Sequence, residues 1–208
     1  MNDCHHCHTQ QMKNSQRGPS SYGMHNADTV FAALNLNQND IFLDIGCGQG
    51  EYSLMAAQRV GPNGIVYAID QWPAITEGLV NEARERGIQN ITGMSCDINK
   101  GLRVKDNHVD VCLLATILHA TRLTILATGL ASELHRILKP HGRVAVLECK
   151  KEEQDFGPSI ENRLAPQQVD DVFTELSFER VDYVDLGYNY MVQYRSILNQ
   201  VVAEKGER

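Results

Sequence analysis

The sequence predicts an α/β fold: a mostly parallel sheet with helices on both faces, closed by an antiparallel final strand. Three observations carry that expectation. From Asp40 onward, short apolar runs alternate with segments of helical periodicity. Those runs are continuous rather than alternating, as strands covered on both faces require. The chain then ends on two β-rich runs around Gly187, with no helix between them. At 208 residues the chain is long enough for one well-buried domain and short for two.

Residues 1–25 read as a flexible tail, rich in Ser, Gln, Asn, Gly and Pro after its first eight residues, and residues 26–208 as the domain. A helix starts near Asn26 or Asp28, either of which can cap it, and carries Val30, Phe31 and Leu34. Ile41 to Ile45 is a strand that runs into glycines. Glu51 to Val60 is a helix closed by Gly61-Pro62-Asn63-Gly64. Ile65 to Ile69 is a strand ended by Asp70. Pro73 to Arg86 is helical, with Ile75, Leu79 and Ala83 on one face, and Gly87 ends it. Ile91 to Cys96 and Val109 to Ala115 are the next strands. Thr121 to Leu138 is expected to be a helix, from the stripe Leu123, Leu126, Leu130, Leu134 and Ile137, stopped by Pro140 and Gly142. A fifth strand is expected over Arg143 to Glu148. Pro166 opens a helix carrying Val169, Val172, Phe173 and Leu176. Phe178 to Leu186 and Tyr190 to Leu198 form a closing hairpin.

Composition narrows the function. A net charge of −7 argues against nucleic-acid binding by bulk electrostatics. No uncharged apolar stretch approaches the roughly 20 residues of a membrane span, and the polar N-terminus is no secretory signal. Of the six cysteines, Cys47, Cys96, Cys112 and Cys149 lie in or beside expected strands, with no compact spacing pattern. Reduced thiols and a cytoplasmic location are the expectation.

The segment Asp44-Ile45-Gly46-Cys47-Gly48-Gln49-Gly50 holds most of the functional information. A buried strand feeds a glycine turn, and a helix follows. Glycines there permit positive φ and close approach of a ligand to the backbone, and the helix start offers unpaired N–H groups. A nicotinamide site would use G-x-G-x-x-G, but Glu51 stands at the third glycine position. Asp44 would repel a pyrophosphate and attract an ammonium. S-adenosylmethionine carries an ammonium, a carboxylate and a sulfonium and no phosphate, so its charges fit. Asp70 follows Gly50 by about 20 residues, where a carboxylate binds ribose hydroxyls. Cys96-Asp97-Ile98, after the third strand, offers a carboxylate to an adenine amino group. Ala115-Thr116 ends the fourth strand. Open sheets bind ligands beyond the carboxyl ends of their strands, so these features should share one edge.

Together these elements resemble the class I S-adenosylmethionine-dependent methyltransferases. The turn D-I-G-C-G-Q-G matches that family's first motif. Leu138-Lys139-Pro140-His141-Gly142-Arg143 resembles its L-K-P-G-G-R turn, with His141 in place of a glycine. Glu175-Leu176-Ser177-Phe178-Glu179-Arg180-Val181 resembles its A-G-F-E-x-V entry into the sixth strand. The likeness runs from about Ala27 to Leu198 and is nearest the small-molecule, ubiquinone/menaquinone-type branch. It implies a Rossmann-like seven-stranded sheet and S-adenosylmethionine as cofactor, leaving S-adenosylhomocysteine. It also implies donor contacts at Asp44, Gly46, Gly48, Gly50, Asp70, Asp97 and the Ala115-Thr116 region, with Cys47, Gln71, Trp72, Cys96 and Ile98 beside them. The expected partner is a small-molecule methyl acceptor, with no nucleic acid.

The catalytic residues are less legible. Methyl transfer from a sulfonium needs alignment and exclusion of water, and a base only when the acceptor carries a proton. His119, just past the fourth strand, is the candidate base, and a packing histidine is the plainer alternative. Glu148 and Cys149 end the fifth strand on the acceptor side. Lys150 to Leu164, with the tail, is left to form a lid, which brings Tyr22 and His25 within reach if the tail folds over. Cys4-His5-His6-Cys7-His8 gathers potential metal ligands, of which Cys4, Cys7 and His8 have spacing open to zinc. A flexible tail that meets metal adventitiously is the plainer reading. A metal-sensing module that binds the donor without turnover, and a metalloid (arsenite-type) methyltransferase, are the alternatives. Ala115-Thr116-Ile117-Leu118 is no N-P-P-Y-type motif, which argues against amino-group methylation of bases or glutamine.

Overall fold

A computed structural model describes residues 20–121 and 123–199. The strands are β1 (Ile41–Ile45), β2 (Ile65–Asp70), β3 (Ile91–Ser95), β4 (Val109–Ala115), β5 (Leu138–Cys149), β6 (Phe178–Asp185) and β7 (Asn189–Ser196). The helices are α1 (Ala27–Leu34), α2 (Glu51–Val60), α3 (Pro73–Glu85), α4 (Leu118–Thr121), α5 (Ala131–Ile137) and α6 (Pro166–Glu175). All seven strands form one sheet in the order β3-β2-β1-β4-β5-β7-β6. β1 to β5 pair in parallel, and β7 runs antiparallel to both β5 and β6.

The sheet is buried on both faces, which explains the unbroken apolar runs. Phe42, Leu43, Asp44 and Ile45 of the central strand β1 are all buried. One face packs Leu43, Ile45, Cys112 and Leu114 with Leu134 and Ile137 of α5 and Val169 and Phe173 of α6. The other packs Phe42, Val66, Val111 and Leu113 with α1, α2 and α3. Local signals set the helix starts. Asn26 Oδ1 accepts from the backbone of Asp28 and Thr29 to cap α1, and Pro73 and Pro166 occupy first-turn positions of α3 and α6. Among the described residues no helix is long and apolar enough to cross a membrane.

Two expectations are corrected. The helix expected over Thr121 to Leu138 is broken. α4 ends at Thr121, Leu123 sits at φ 65°, and a π-helical stretch, Leu126–Leu130, contains Gly129 at φ 133° before α5 begins. Leu126, Leu130, Leu134 and Ile137 are nevertheless buried together. The stripe reported burial, which an interrupted helix satisfies as well as a continuous one. β5 starts at Leu138 rather than Arg143. Its pairing with β4 jumps from Val109↔Leu138 to Val111↔Arg143, so the Lys139–Gly142 turn is a bulge within the strand.

Parallel pairing brings the carboxyl ends of β1, β2, β3, β4 and β5 to one edge. Asn189, which starts β7, joins them there opposite Cys149.

Candidate functional site

The glycine turn is built from backbone. Gly46 and Cys47 both donate to the Ile69 carbonyl, at 2.8 and 2.9 Å, which docks the turn on the end of β2. Gly50 donates to the Cys47 carbonyl at 2.8 Å and, at φ 84°, swings the chain into α2. Gly46 adopts φ 75°, and a Cβ there would lie 2.7 Å from Ile117 Cγ2. Only glycine accommodates both constraints. Above Gly48 a Cβ would meet nothing nearer than 3.9 Å, so the backbone there is open to a ligand. Cys47 is buried in the turn.

Asp44 lies beneath the turn, 1% exposed, and accepts from Ser53 Oγ at 2.6 Å. Burial pushes its carboxyl up to about 7. The Ser53 hydrogen bond opposes that rise, and the charges of Asp70 and Glu51 add to it.

Asp70 joins two loops. Its Oδ2 accepts from the Gly48 N–H at 3.3 Å and its Oδ1 from the Trp72 N–H at 3.1 Å. The Asp70 carbonyl accepts from the Cys96 N–H at 3.1 Å, which ties the end of β3 to the same place. Gln71 and Trp72 are exposed, and Cys96 and Ile98 are half-buried. Asp97 is exposed and pairs with Lys100 at 3.5 Å. Ala115 is buried, and Thr116 turns through φ 53° while its N–H donates to the Leu147 carbonyl at 2.7 Å. A β-branched residue at positive φ is strained. Thus the glycine turn, Asp70, the β3 exit and the β4 exit share one edge.

The β4 exit also carries the candidate base. Glu148 is fully buried at the end of β5. Its Oε1 accepts from the N–H groups of Leu118 and His119, at 2.8 and 3.3 Å, and its Oε2 lies 2.9 Å from His119 Nδ1. A carboxylate on Nδ1 places the ring proton there and leaves Nε2 as the acceptor. The His119 side chain keeps 18% of its surface exposed.

The segment after β5 wraps around Arg163, which is 3% exposed and donates to the carbonyls of Lys150, Glu152, Phe156 and Pro158. This segment and Tyr188 line a cavity of ≈ 780 Å³, with Phe156 edge-on to Tyr188 at 4.9 Å. Burial raises the Cys149 thiol, which accepts a hydrogen bond from Asn189.

Tyr22 and His25 stand at this edge, where a tail folded over the site would bring them, and Ser20, Ser21, Tyr52, Ser53 and Asn189 join them without having been singled out in the sequence. Residues 20–25, grouped with the tail by composition, lie against the glycine turn. Ser20 Oγ donates to Glu51, and Ser21 is buried against Tyr52. Tyr22 packs edge-on to Tyr52 at 5.1 Å. His25 bridges Tyr52 and Asn189, and burial lowers its basicity below the ordinary imidazole range. Tyr52 and Ser53 sit in the first turn of α2, and that position was the available signal. Asn189 had none, because its role depends on pairing with β5. Cys4, Cys7 and His8 lie outside the described residues.

A seven-stranded sheet of this order, with a glycine turn after β1 and an acidic residue closing β2, has the architecture of the class I S-adenosylmethionine-dependent methyltransferases. The chain belongs to the methyltransferase-domain family, whose model matches residues 36–204. It is similar to a crystal structure of an S-adenosylmethionine-dependent methyltransferase from Aquifex aeolicus, with 25% identity and a TM-score of 0.78 over 88% of this chain and 96% of that one. It is also similar to the ubiquinone/menaquinone biosynthesis C-methyltransferase UbiE of Burkholderia cenocepacia (strain HI2424), 32% identical over 136 residues, 63% of this chain and 53% of that protein. The match thus spans about half the length of such curated relatives. A geranyl diphosphate C-methyltransferase from Streptomyces coelicolor A3(2), solved with S-adenosyl-L-homocysteine, shares the fold at 17% identity and a TM-score of 0.66 over 82% of this chain and 78% of that one.

Proposed function

We propose that this chain transfers a methyl group from S-adenosylmethionine to a small-molecule acceptor that gives up a proton to the His119–Glu148 pair. The observation that carries this reading is an open glycine turn and an oriented histidine–carboxylate pair on the same sheet edge, with Ile117 packed over Gly46 two residues before His119.

The residues present fit the donor. The space above Gly48 takes a ligand that approaches the backbone closely. Asp70 retains lone pairs beyond those used by Gly48 and Trp72, enough to accept from two ribose hydroxyls. Asp44, ionised, balances an ammonium from beneath the turn. Asp97 accepts from an adenine amino group, with Gln71, Trp72, Cys96 and Ile98 along that border. Cys47, Ala115 and Thr116 wall the methionine end. When bound, S-adenosylmethionine supplies a methyl group activated by its sulfonium.

The chain's own work is alignment and proton removal. His119 Nε2 takes the acceptor's proton. Glu148 holds the opposite N–H and stabilises the imidazolium that results. The ≈ 780 Å³ cavity formed by the segment after β5 and Tyr188 lies within the about 300–1,000 Å³ usual for small ligands. Phe156 and Tyr188 suit it to a ring-bearing acceptor. The ubiquinone/menaquinone-type relatives favour an acceptor methylated at an activated carbon, and a histidine base suits an acceptor whose hydroxyl ionises.

Labelled S-adenosylmethionine, purified protein and a host extract test this, with Asp70→Ala as control. Label in a small or organic-soluble product, lost in the control, is the expected result. Label on protein or RNA would end the small-acceptor reading and leave the donor site standing.

A further inference from the structure

Five hydrogen bonds join the donor side of the sheet edge to the acceptor side in one unbroken line. Thr116 Oγ1 donates to Ser21 Oγ at 3.4 Å. Ser21 Oγ lies 3.2 Å from the Tyr52 hydroxyl, and that hydroxyl lies 3.0 Å from His25 Nε2. His25 Nδ1 lies 3.3 Å from Asn189 Oδ1, and Asn189 Nδ2 donates to Cys149 Sγ at 3.5 Å. The line has a direction. Asn189 presents an oxygen to His25, so Nδ1 must donate and Nε2 must accept. Tyr52 therefore donates to His25, and Ser21 donates to Tyr52. Each hydroxyl between the two ends both gives and receives one hydrogen bond.

This line fastens residues 20–25 across the glycine turn. Ser20 and Ser21 wall a cavity that is also lined by Gly46, Gly48, Tyr52 and Thr116. Its volume is ≈ 170 Å³. In the donor reading this cavity is the methionine end of the site, so residues 20–25 cover the place where the amino-acid part of the donor enters. The fastening ends on Thr116, the strained residue at the β4 exit.

We propose that residues 20–25 form a latch over the donor site, which must open for S-adenosylmethionine to enter and for its product to leave, and that Tyr52 and His25 are the positioning residues holding it shut. The inference rests on the donor reading above. A latch closed in the free protein lowers apparent affinity by the fraction of molecules that are open. Weakening it therefore tightens binding, whereas removing a direct ligand contact weakens binding.

The test is S-adenosylhomocysteine binding by calorimetry, with association rates by stopped flow using Trp72, the single tryptophan of the chain. Tyr52→Phe keeps the ring and removes both of its hydroxyl bonds, and Ser21→Ala cuts the line at a second point. Both variants should associate faster and bind tighter, by roughly threefold to tenfold. Unchanged rates, or weaker binding in both variants, would overturn the latch and leave the donor site intact. Failure of the unaltered chain to bind S-adenosylhomocysteine would overturn the donor reading and the latch with it.

Discussion

The proposed donor side and the proposed acceptor side of the sheet edge are made of different materials. On the donor side the working surface is backbone. β1, the glycine turn and α2 are contiguous, and the turn is docked by its own N–H groups on Ile69. On the acceptor side the working surface is side chain. His119 depends on Glu148, 29 residues away, for the orientation of its ring. A backbone site tolerates side-chain changes and fails when its φ values are denied. A side-chain site fails one group at a time and can lose catalysis while it still binds.

Four perturbations press on that difference. Glu148→Gln should have the largest effect. An amide presents an N–H to His119, forces the proton onto Nε2 and removes the base. Methyl transfer should fall about 10²–10⁴-fold, with S-adenosylhomocysteine affinity unchanged by calorimetry. A parallel loss of affinity would mean that the two sides are one unit.

Gly46→Ala should do the reverse. The new Cβ meets Ile117 at 2.7 Å and the residue must hold φ 75°. Donor affinity should drop about a hundredfold, and urea unfolding should show a loss of about 2–4 kcal/mol. Near-normal affinity would move the donor elsewhere.

Asp44 gives a pH signature. Its carboxyl is raised to about 7 by burial, so it must shed a proton to meet an ammonium. Affinity for S-adenosylhomocysteine should fall up to about tenfold per pH unit from about 7 down to 5.5. In the folded chain this carboxyl holds its proton more tightly than in the unfolded chain. Its contribution is therefore most favourable below about pH 4 and is lost as pH rises to about 7. Asp44→Asn should flatten both slopes and raise stability at pH 8 by roughly 2–4 kcal/mol, measured by denaturant titration. A slope that persists in the variant would assign it to another group.

Asp97→Ala should matter least. An exposed carboxylate with one hydrogen bond to adenine is worth about 1 kcal/mol, so affinity should weaken about fivefold at unchanged melting temperature. A loss as large as that of Gly46→Ala would show that the donor side relies on side chains after all.

Elements whose cause is local were legible in the sequence. Glu51–Val60 and Val109–Ala115 have the expected bounds, and the Asn26 cap and the prolines of α3 and α6 act where they stand. The expected helix over Thr121–Leu138 shows where such reading stops. Its apolar period was correct and its continuity was not, because Leu123 and Gly129 leave helical geometry.

By itself the sequence determined the parallel sheet, the glycine turn and the acidic residue that closes β2. Each is specified by neighbours within a strand–turn–helix unit, through glycine φ freedom, capping and unbroken apolar runs. Tertiary structure decided the rest: that Glu148 orients His119, that Asp44 is buried under the turn, and that Ser21, Tyr52, His25 and Asn189 close in one line over it. Those groups meet only after the strands have registered, and no local pattern records a contact that strand pairing alone creates.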